Sequence, residues 1–194
     1  MTKLVLASTS PRRAEVLADA GFTFEVVAAR VDESRRTGEQ AEAYVRRLAE
    51  AKARAVAGGV NPPAIVIAAD TVVVMDGEVL GKPASADDAG RMLRRLSGRT
   101  HQVLTGLAVL KIPGGATRVE IETTQVTFAP LTEAEIEAYV ASGEPLDKAG
   151  AYAIQGRGGR FVARVEGCYF NVVGLPLARL YSMLSEMGWK QSRV

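Results

Sequence analysis

Cysteine and histidine are almost missing from this chain: Cys168 is its one cysteine and His101 its one histidine. No internal disulfide can form. A structural zinc on four cysteines and a zinc site with paired histidines both need ligands that one chain does not supply. A Ser-His-Asp triad would have to recruit His101, and there is no Gly-x-Ser-x-Gly elbow to present its serine. A surplus of one charge sign is missing too. There are 24 basic and 22 acidic side chains, a net charge of +2. A nucleic-acid coat or a membrane-surface protein needs a strong basic excess, and basic and aromatic residues are not interleaved here. Neither nucleic acid nor membrane is therefore expected as a partner. Long hydrophobic runs are absent as well. The longest, Ala64 to Ala69, is broken by Asp70 and is too short to span a bilayer. Leu4–Ala7, with Arg12 and Arg13 soon after, is too short for a signal peptide. The expectation is a soluble cytoplasmic protein.

What is present suffices for a core. The chain has 194 residues, 47% of them hydrophobic, enough to bury a sizeable interior without staples. The length suits one domain over residues 1–194, or one domain with two lobes around a cleft. Lys3–Ala7 reads as a buried strand. Ser10 reads as an N-cap with Pro11 at the first helical position, opening an amphipathic helix over Arg13–Ala20 that Gly21 closes. Phe22–Ala28 reads as a strand and Arg30–Thr37 as a charged loop. Glu39–Ala57 has helical spacing, with Gly58-Gly59 after it. Ala64–Ala69 reads as a buried strand ending at Asp70-Thr71. Val72–Met75 and Glu78–Leu80 flank Asp76-Gly77, a hairpin signal. Capping boxes at Ser85–Asp88 and Thr132–Glu135 start helices to about Leu96 and Ala141. His101–Ile112, Thr117–Phe128 and Phe161–Val165 read as strands, and Leu175–Met187 as the closing helix. Alternating strands and helices followed by clustered long strands predict an α/β fold with a mixed sheet.

Four segments carry candidate chemistry. Ser8-Thr9-Ser10-Pro11-Arg12-Arg13 lies between a strand and a helix. Free N–H groups at a helix N-terminus favour an anion, Ser8 and Ser10 add hydroxyls, and guanidinium forks suit phosphate oxygens. The alternative is a capped helix with two solvated arginines. Asp70 stands at the carboxyl end of an apolar strand, where α/β folds place ligands. It suits a general base or a metal ligand, the alternative being a turn aspartate bonded to its own backbone. Gly81-Lys82-Pro83 is no Walker A loop, since Asp76 and Pro83 stand where that motif needs glycine and Ser or Thr. Lys82 suits a phosphate as a point charge, or is a solvated turn residue. Asp147–Gly159 is glycine-dense, yet Phe161 breaks the Gly-x-Gly-x-x-Gly pattern. Glu33, Lys52 and His101 taken singly read as solvated or structural groups, and Cys168 as a small buried residue. Together, the cations and hydroxyls suit a polyphosphate, and Glu33 with Asp70 suits a divalent metal and an activated water.

Leu6-Ala7-Ser8-Thr9-Ser10-Pro11-Arg12-Arg13, Ala69-Asp70-Thr71-Val72-Val73, Gly81-Lys82-Pro83, Ser142-Gly143-Glu144-Pro145 running on to Gln155-Gly156, and Asn171-Val172-Val173-Gly174-Leu175-Pro176-Leu177 resemble the Maf family in order and spacing. The resemblance spans nearly the whole chain. It implies an α/β fold like that of the inosine triphosphate pyrophosphatases, a mixed twisted sheet with flanking helices and two lobes around a central cleft. It implies hydrolysis of a nucleoside triphosphate to monophosphate and pyrophosphate, helped by Mg or Mn, in a homodimer. By position, Asp70 is then the proton acceptor, Ser8, Ser10, Arg12, Arg13, Lys52, Thr71, Lys82 and Gln155 contact substrate, and Glu33 and Asp70 hold the metal. Arg12, Thr71 and Gln155 resemble the dTTP/UTP branch. The 7-methyl-GTP branch tends to a different, often bulky residue at position 12, Gln at 71 and Glu at 155. A neutral amide both donates and accepts, which suits the imide edge of uracil or thymine, whereas a carboxylate only accepts. Cys168 departs from the family's usual Ser. Two rival readings are a purine triphosphate pyrophosphatase and a non-enzymatic regulator of septum formation. The latter would not need Asp70, Lys82 and Gln155 together.

Overall fold

Unbroken apolar stretches form the centre of the sheet. The structure is a computed structural model and describes residues 2–190. Strand β1 (Lys3–Ala7) pairs in parallel with β2 (Phe24–Val27) and with β3 (Ala64–Met75), Leu6 standing opposite Val26 and Ile67. Between them run helices α1 (Pro11–Asp19) and α2 (Ala41–Ala57). Strand β4 (Glu78–Leu80) turns back on β3 through Asp76-Gly77, whose φ values of 52° and 77° are the left-handed pair that a two-residue hairpin requires. Helix α3 (Ala86–Leu96) leads to the long strands β5 (Thr100–Ile112) and β6 (Thr117–Phe128). Helix α4 (Glu133–Ala141) and three short 3-10 turns between Glu144 and Phe161 precede β7 (Val162–Glu166), antiparallel to β6. Helices α5 (Tyr169–Val173) and α6 (Leu177–Glu186) follow. The strand order is β2-β1-β3-β5-β6-β7, with β4 on β3. The fold is therefore α/β with a mixed sheet, as the sequence predicts. Among the described residues no helix is long and apolar enough to cross a membrane.

Several elements differ from the sequence reading. Strand β3 does not stop at Asp70 but runs through it to Met75. A buried carboxylate is costly inside an apolar strand unless its charge is paired, and Asp70 is paired with Lys52. Ser10 occupies the N-cap position of α1, yet its side chain caps nothing. Instead Ser8 Oγ accepts the Ser10 N–H at 3.1 Å. At Ser85 half of the capping box forms. The Asp88 N–H reaches Ser85 Oγ, but the shorter aspartate side chain takes the Ala84 N–H rather than that of the cap. The Thr132–Glu135 box is complete. Cys168 is half-buried rather than buried, its backbone N–H and C=O both bonded to Thr124.

The chain divides into two compact units, each assembled from separate stretches. One comprises residues up to Asp70, Thr105–Glu122 and Gly174 onward; the other comprises Thr71–Leu104 and Thr123–Val173. The first packs α2 against its strands through small side chains, Ala49 and Ala53 meeting Val5, Val66 and Ala108. The approach is closest at Gly106, where an added Cβ would lie 2.2 Å from the Val45 carbonyl oxygen. The second unit is built on Leu93, Leu96, Phe128, Tyr139 and Phe161, with edge-to-face contacts joining Phe128 to Tyr152 and Tyr139 to Phe161.

Candidate active site

The first unit concentrates charge in its interior. Helix α2 buries Val45, Leu48, Ala49, Ala53 and Val56, the stripe expected of an amphipathic helix. Lys52 stands in that stripe and is only 8% exposed. Its ammonium reaches two carboxylates, Asp70 Oδ1 at 2.7 Å and Glu33 Oε1 at 2.7 Å. Asp70 is itself 8% exposed. Burial raises the Asp70 pKa above the ordinary carboxylate value; Lys52 and Arg13 pull it down, Glu33 adds to the rise, and the net direction is upward. A carboxylate held this way is a stronger proton acceptor than a solvated one. Glu33 comes from the exposed loop before α2. The Tyr44 hydroxyl holds its carbonyl at 2.7 Å, and Arg47 holds the next carbonyl, that of Ser34.

Arg13 supports this centre from the first turn of α1. Its Nε donates to the Gly174 carbonyl at 2.8 Å, and one terminal nitrogen donates to the Ala69 carbonyl at 2.8 Å and to Ser8 Oγ at 3.4 Å. Burial lowers the Arg13 pKa, with Asp70 opposing. Ser8 is buried, Ser10 and Arg12 are partly exposed, and all three stand at the start of α1. The structure thus brings Ser8, Arg13, Glu33, Lys52 and Asp70 into one linked group, with Ser10 and Arg12 alongside in the chain. Its charge balance is plain. Arg13 and Lys52 offset Asp70 and Glu33, so the linked group is neutral. A polyphosphate needs further positive charge, from Arg12 and elsewhere.

The second unit carries Thr71, Lys82 and Gln155. Lys82 is exposed, but its segment is fixed because the Gly81 carbonyl accepts the Gly150 N–H at 3.0 Å. Gly150 has φ 68° and stands against Val73, where a Cβ would meet the valine methyl at 2.7 Å. The lysine segment, the start of the glycine-dense stretch and the end of β3 therefore share one contact point. Gln155 is exposed in a tight turn closed by the Gly156 N–H on the Ala153 carbonyl. His101 lies apart from these residues in sequence and chemistry. It is 2% exposed, bonded through Nε2 to the Tyr152 hydroxyl at 2.8 Å, and burial lowers its pKa to about 4. It is a neutral core histidine.

Among the described residues no group of three or more His, Cys, Asp or Glu side chains is placed to hold a metal by itself. Mg is usually held by one or two carboxylates together with substrate phosphates and waters. Asp70 and Glu33, converging on one ammonium, fit that pattern.

Sequence reasoning missed the buried position of Lys52, the grip of Arg13 on Gly174, and Tyr44 as the support of the Glu33 loop. The first had a signal, since Val45, Leu48, Lys52 and Val56 recur at helical spacing. The others are bonds to backbone carbonyls, which no side-chain pattern announces.

Comparison with known proteins places the chain in a family. Residues 3–187 match the family described as Maf-like protein. The chain is 57% identical over 189 residues to a dTTP/UTP pyrophosphatase of Anaeromyxobacter sp. (strain Fw109-5), covering 96% of this chain and 90% of that protein. It is 56% identical over 188 residues to a dTTP/UTP pyrophosphatase of Moorella thermoacetica, covering 97% and 96%. With a dTTP/UTP pyrophosphatase of Vibrio cholerae it shares 55% over 177 residues, covering 91% and 94%. Among solved structures, the Staphylococcus aureus Ham1 protein superposes with a TM-score of 0.50 at 19% identity, covering 96% of this chain and 100% of that one, a likeness of fold alone. With the motif-bearing residues inside the matched span, the chain belongs to the family of Maf-like proteins.

Proposed function

We propose that this chain hydrolyses dTTP and UTP to the monophosphate and pyrophosphate, clearing such triphosphates and their modified forms from the nucleotide pool. The observation that carries the proposal is the buried Asp70 carboxylate, hydrogen-bonded to Lys52 and linked through it to Glu33. Relatives that are 50–57% identical and named dTTP/UTP pyrophosphatase support it.

In this reading Asp70 accepts the proton of the water that attacks the α phosphorus. Its raised pKa makes it a better base, and Lys52 holds its oxygen in place. Ser8, Ser10 and the backbone N–H groups at the start of α1 receive phosphate oxygens. Arg12 and Lys82 supply the positive charge that the neutral group around Lys52 lacks. Arg13 acts chiefly by fixing Ser8 and the strand leading into Asp70. A bound Mg or Mn would be held by Glu33 and Asp70 and would neutralise phosphate charge. Most of the acceleration comes from positioning and electrostatics. Arg12, Thr71 and Gln155 select the base, the Gln155 amide matching the mixed donors and acceptors of a pyrimidine imide. The whole chain acts as one catalytic domain, in a homodimer. A purely regulatory protein has no need of a charge cluster kept inside its core.

The test is pyrophosphate release with Mg or Mn across dTTP, UTP, CTP, GTP, ITP and 7-methyl-GTP. Preference for dTTP and UTP is expected, and Asp70→Asn should lower kcat by about 100-fold or more. A purine preference would overturn the base assignment, and no turnover of any nucleotide would overturn the enzymatic reading.

A further inference from the structure

We infer that Glu144 is a positioning residue for base recognition, acting by fixing the turn that presents Gln155; the inference rests on the proposal that Gln155 reads the base. Gln155 is exposed at the tip of the turn Ala153–Gly156. An exposed glutamine on a glycine-rich turn selects nothing unless its backbone is held. The structure shows what holds it. The Glu144 carboxylate accepts the Arg157 N–H on Oε2 at 3.0 Å and the Gly158 N–H on Oε1 at 3.2 Å. Oε1 also accepts the Tyr139 hydroxyl proton at 2.9 Å, and the Tyr139 oxygen in turn accepts the Ala153 N–H at 3.2 Å. One carboxylate and one phenol thus take up backbone donors on both sides of Gln155.

The fit is tight. A Cβ on Gly156 would lie 2.4 Å from Glu144 Oε1, and one on Gly158 would lie 2.6 Å from the Tyr139 hydroxyl. The turn's glycines are there so that backbone can close over these two side chains. Tyr139 is buried in the core of α4, so the clamp is anchored in a rigid element. Burial by itself would push the Glu144 carboxyl up, but the three donors outweigh it and the group lies below its ordinary value. The clamp is therefore charged at neutral pH, and bonds to a charged acceptor are stronger than neutral ones. Glu144 contacts no reacting atom in this account. Its effect passes through Gln155.

The experiment compares wild type, Glu144→Gln, Glu144→Ala, Gly156→Ala and Gln155→Glu, measuring kcat and KM for dTTP and GTP. Inorganic tripolyphosphate, which has no base, serves as a competing ligand whose inhibition constant is read in parallel. Losing charge-assisted bonds to the turn should raise KM for dTTP and reduce the dTTP-over-GTP preference about tenfold in Glu144→Ala. Glu144→Gln, which keeps one acceptor oxygen but sets an amide donor near backbone N–H groups, should fall between Glu144→Ala and wild type. In the Glu144 variants kcat and the tripolyphosphate constant should hold within about twofold, since a local backbone change leaves distant contacts nearly additive. Gly156→Ala keeps the Glu144 carboxylate in the chain but drives a Cβ against it, which forces the turn and the clamp apart, and it carries the test if Glu144→Ala does not fold. Unchanged base preference in the Glu144 and Gly156 variants, alongside a shifted preference in Gln155→Glu, would overturn the inference alone. So would a parallel loss of kcat and tripolyphosphate binding, which marks a general structural role. If Gln155→Glu itself leaves the preference unchanged, the assignment of Gln155 falls and the inference with it.

Discussion

Replacing Lys52 by methionine removes the ammonium shared by Asp70 and Glu33 while keeping most of the side-chain volume. At an effective dielectric of about 20, two opposite unit charges about 4 Å apart attract by about 4 kcal/mol. Desolvation of the pair offsets much of that, so the net coupling should be about 2 kcal/mol. What remains after substitution is a carboxylate 8% exposed, with Glu33 as a like charge and Arg13 opposing. Breaking one side of a buried pair costs about 3 kcal/mol or more. Asp70 already titrates above its unfolded value, and loss of Lys52 raises its pKa further. An acid whose folded pKa exceeds its unfolded pKa binds more protons in the folded state. Stability then falls as pH rises from the unfolded value, 3.8, towards the folded one. The deficit of Lys52→Met should accordingly be larger at pH 8 than at pH 5. Urea denaturation of wild type, Lys52→Met, Asp70→Asn and the double variant at both pH values measures this directly. The double variant should lose less than the sum of the singles by about 2 kcal/mol. In the pyrophosphate assay the acid limb of the Lys52→Met profile should shift to higher pH. Strictly additive losses that do not vary with pH would refute the reasoning.

Two further outcomes follow from the packing. Burial keeps His101 neutral in the folded state with a pKa of about 4, below the ordinary histidine value of 6.5; its contribution to stability is therefore fully present above pH 6.5 and is lost as pH drops towards 4, by about 3 kcal/mol in total. Denaturation curves between pH 4 and 7 should show that slope as the difference between wild type and His101→Gln, since the opposite slope of Asp70 is common to both. Gly106→Ala forces a methyl into the space between β5 and the Val45 carbonyl, and thermal melting should report a loss of about 1–3 kcal/mol or failure to fold.

The elements were largely legible in the sequence because they depend on local signals. The Asp76-Gly77 hairpin, the Thr132 box and the continuous apolar runs each announce themselves within a few residues. Asp70 was legible as unusual, since no ordinary surface turn is flanked by Ala69 and Val72. Its place inside a continuous strand was not, because the cation that makes this possible lies 18 positions earlier in the chain. Lys52 itself was half legible. Helical spacing puts it in the apolar stripe of α2, where a lysine is out of place unless something meets it. Arg13 looked like a phosphate ligand because its partners, Ala69 and Gly174, are backbone carbonyls that no side-chain pattern announces. Glu144 stood in a recognised motif, but its role was hidden for the same reason, since two of its donors are main-chain N–H groups.

The grip of Arg13 on two carbonyls has an evolutionary consequence. A guanidinium presents donors in one rigid plane, and here separate nitrogens of that plane meet Gly174 and Ala69 at the same distance. Lysine carries equal charge on a single rotatable nitrogen and cannot reproduce that geometry. Exchange of Arg13 for Lys, the mildest drift by charge, would therefore leave either β3 at Ala69 or the turn at Gly174 without its tie. Position 13 offers no gradual route away from arginine, so descendants of this chain would have to change the backbone at both carbonyls, one in β3 and one in a turn, before they could change the residue.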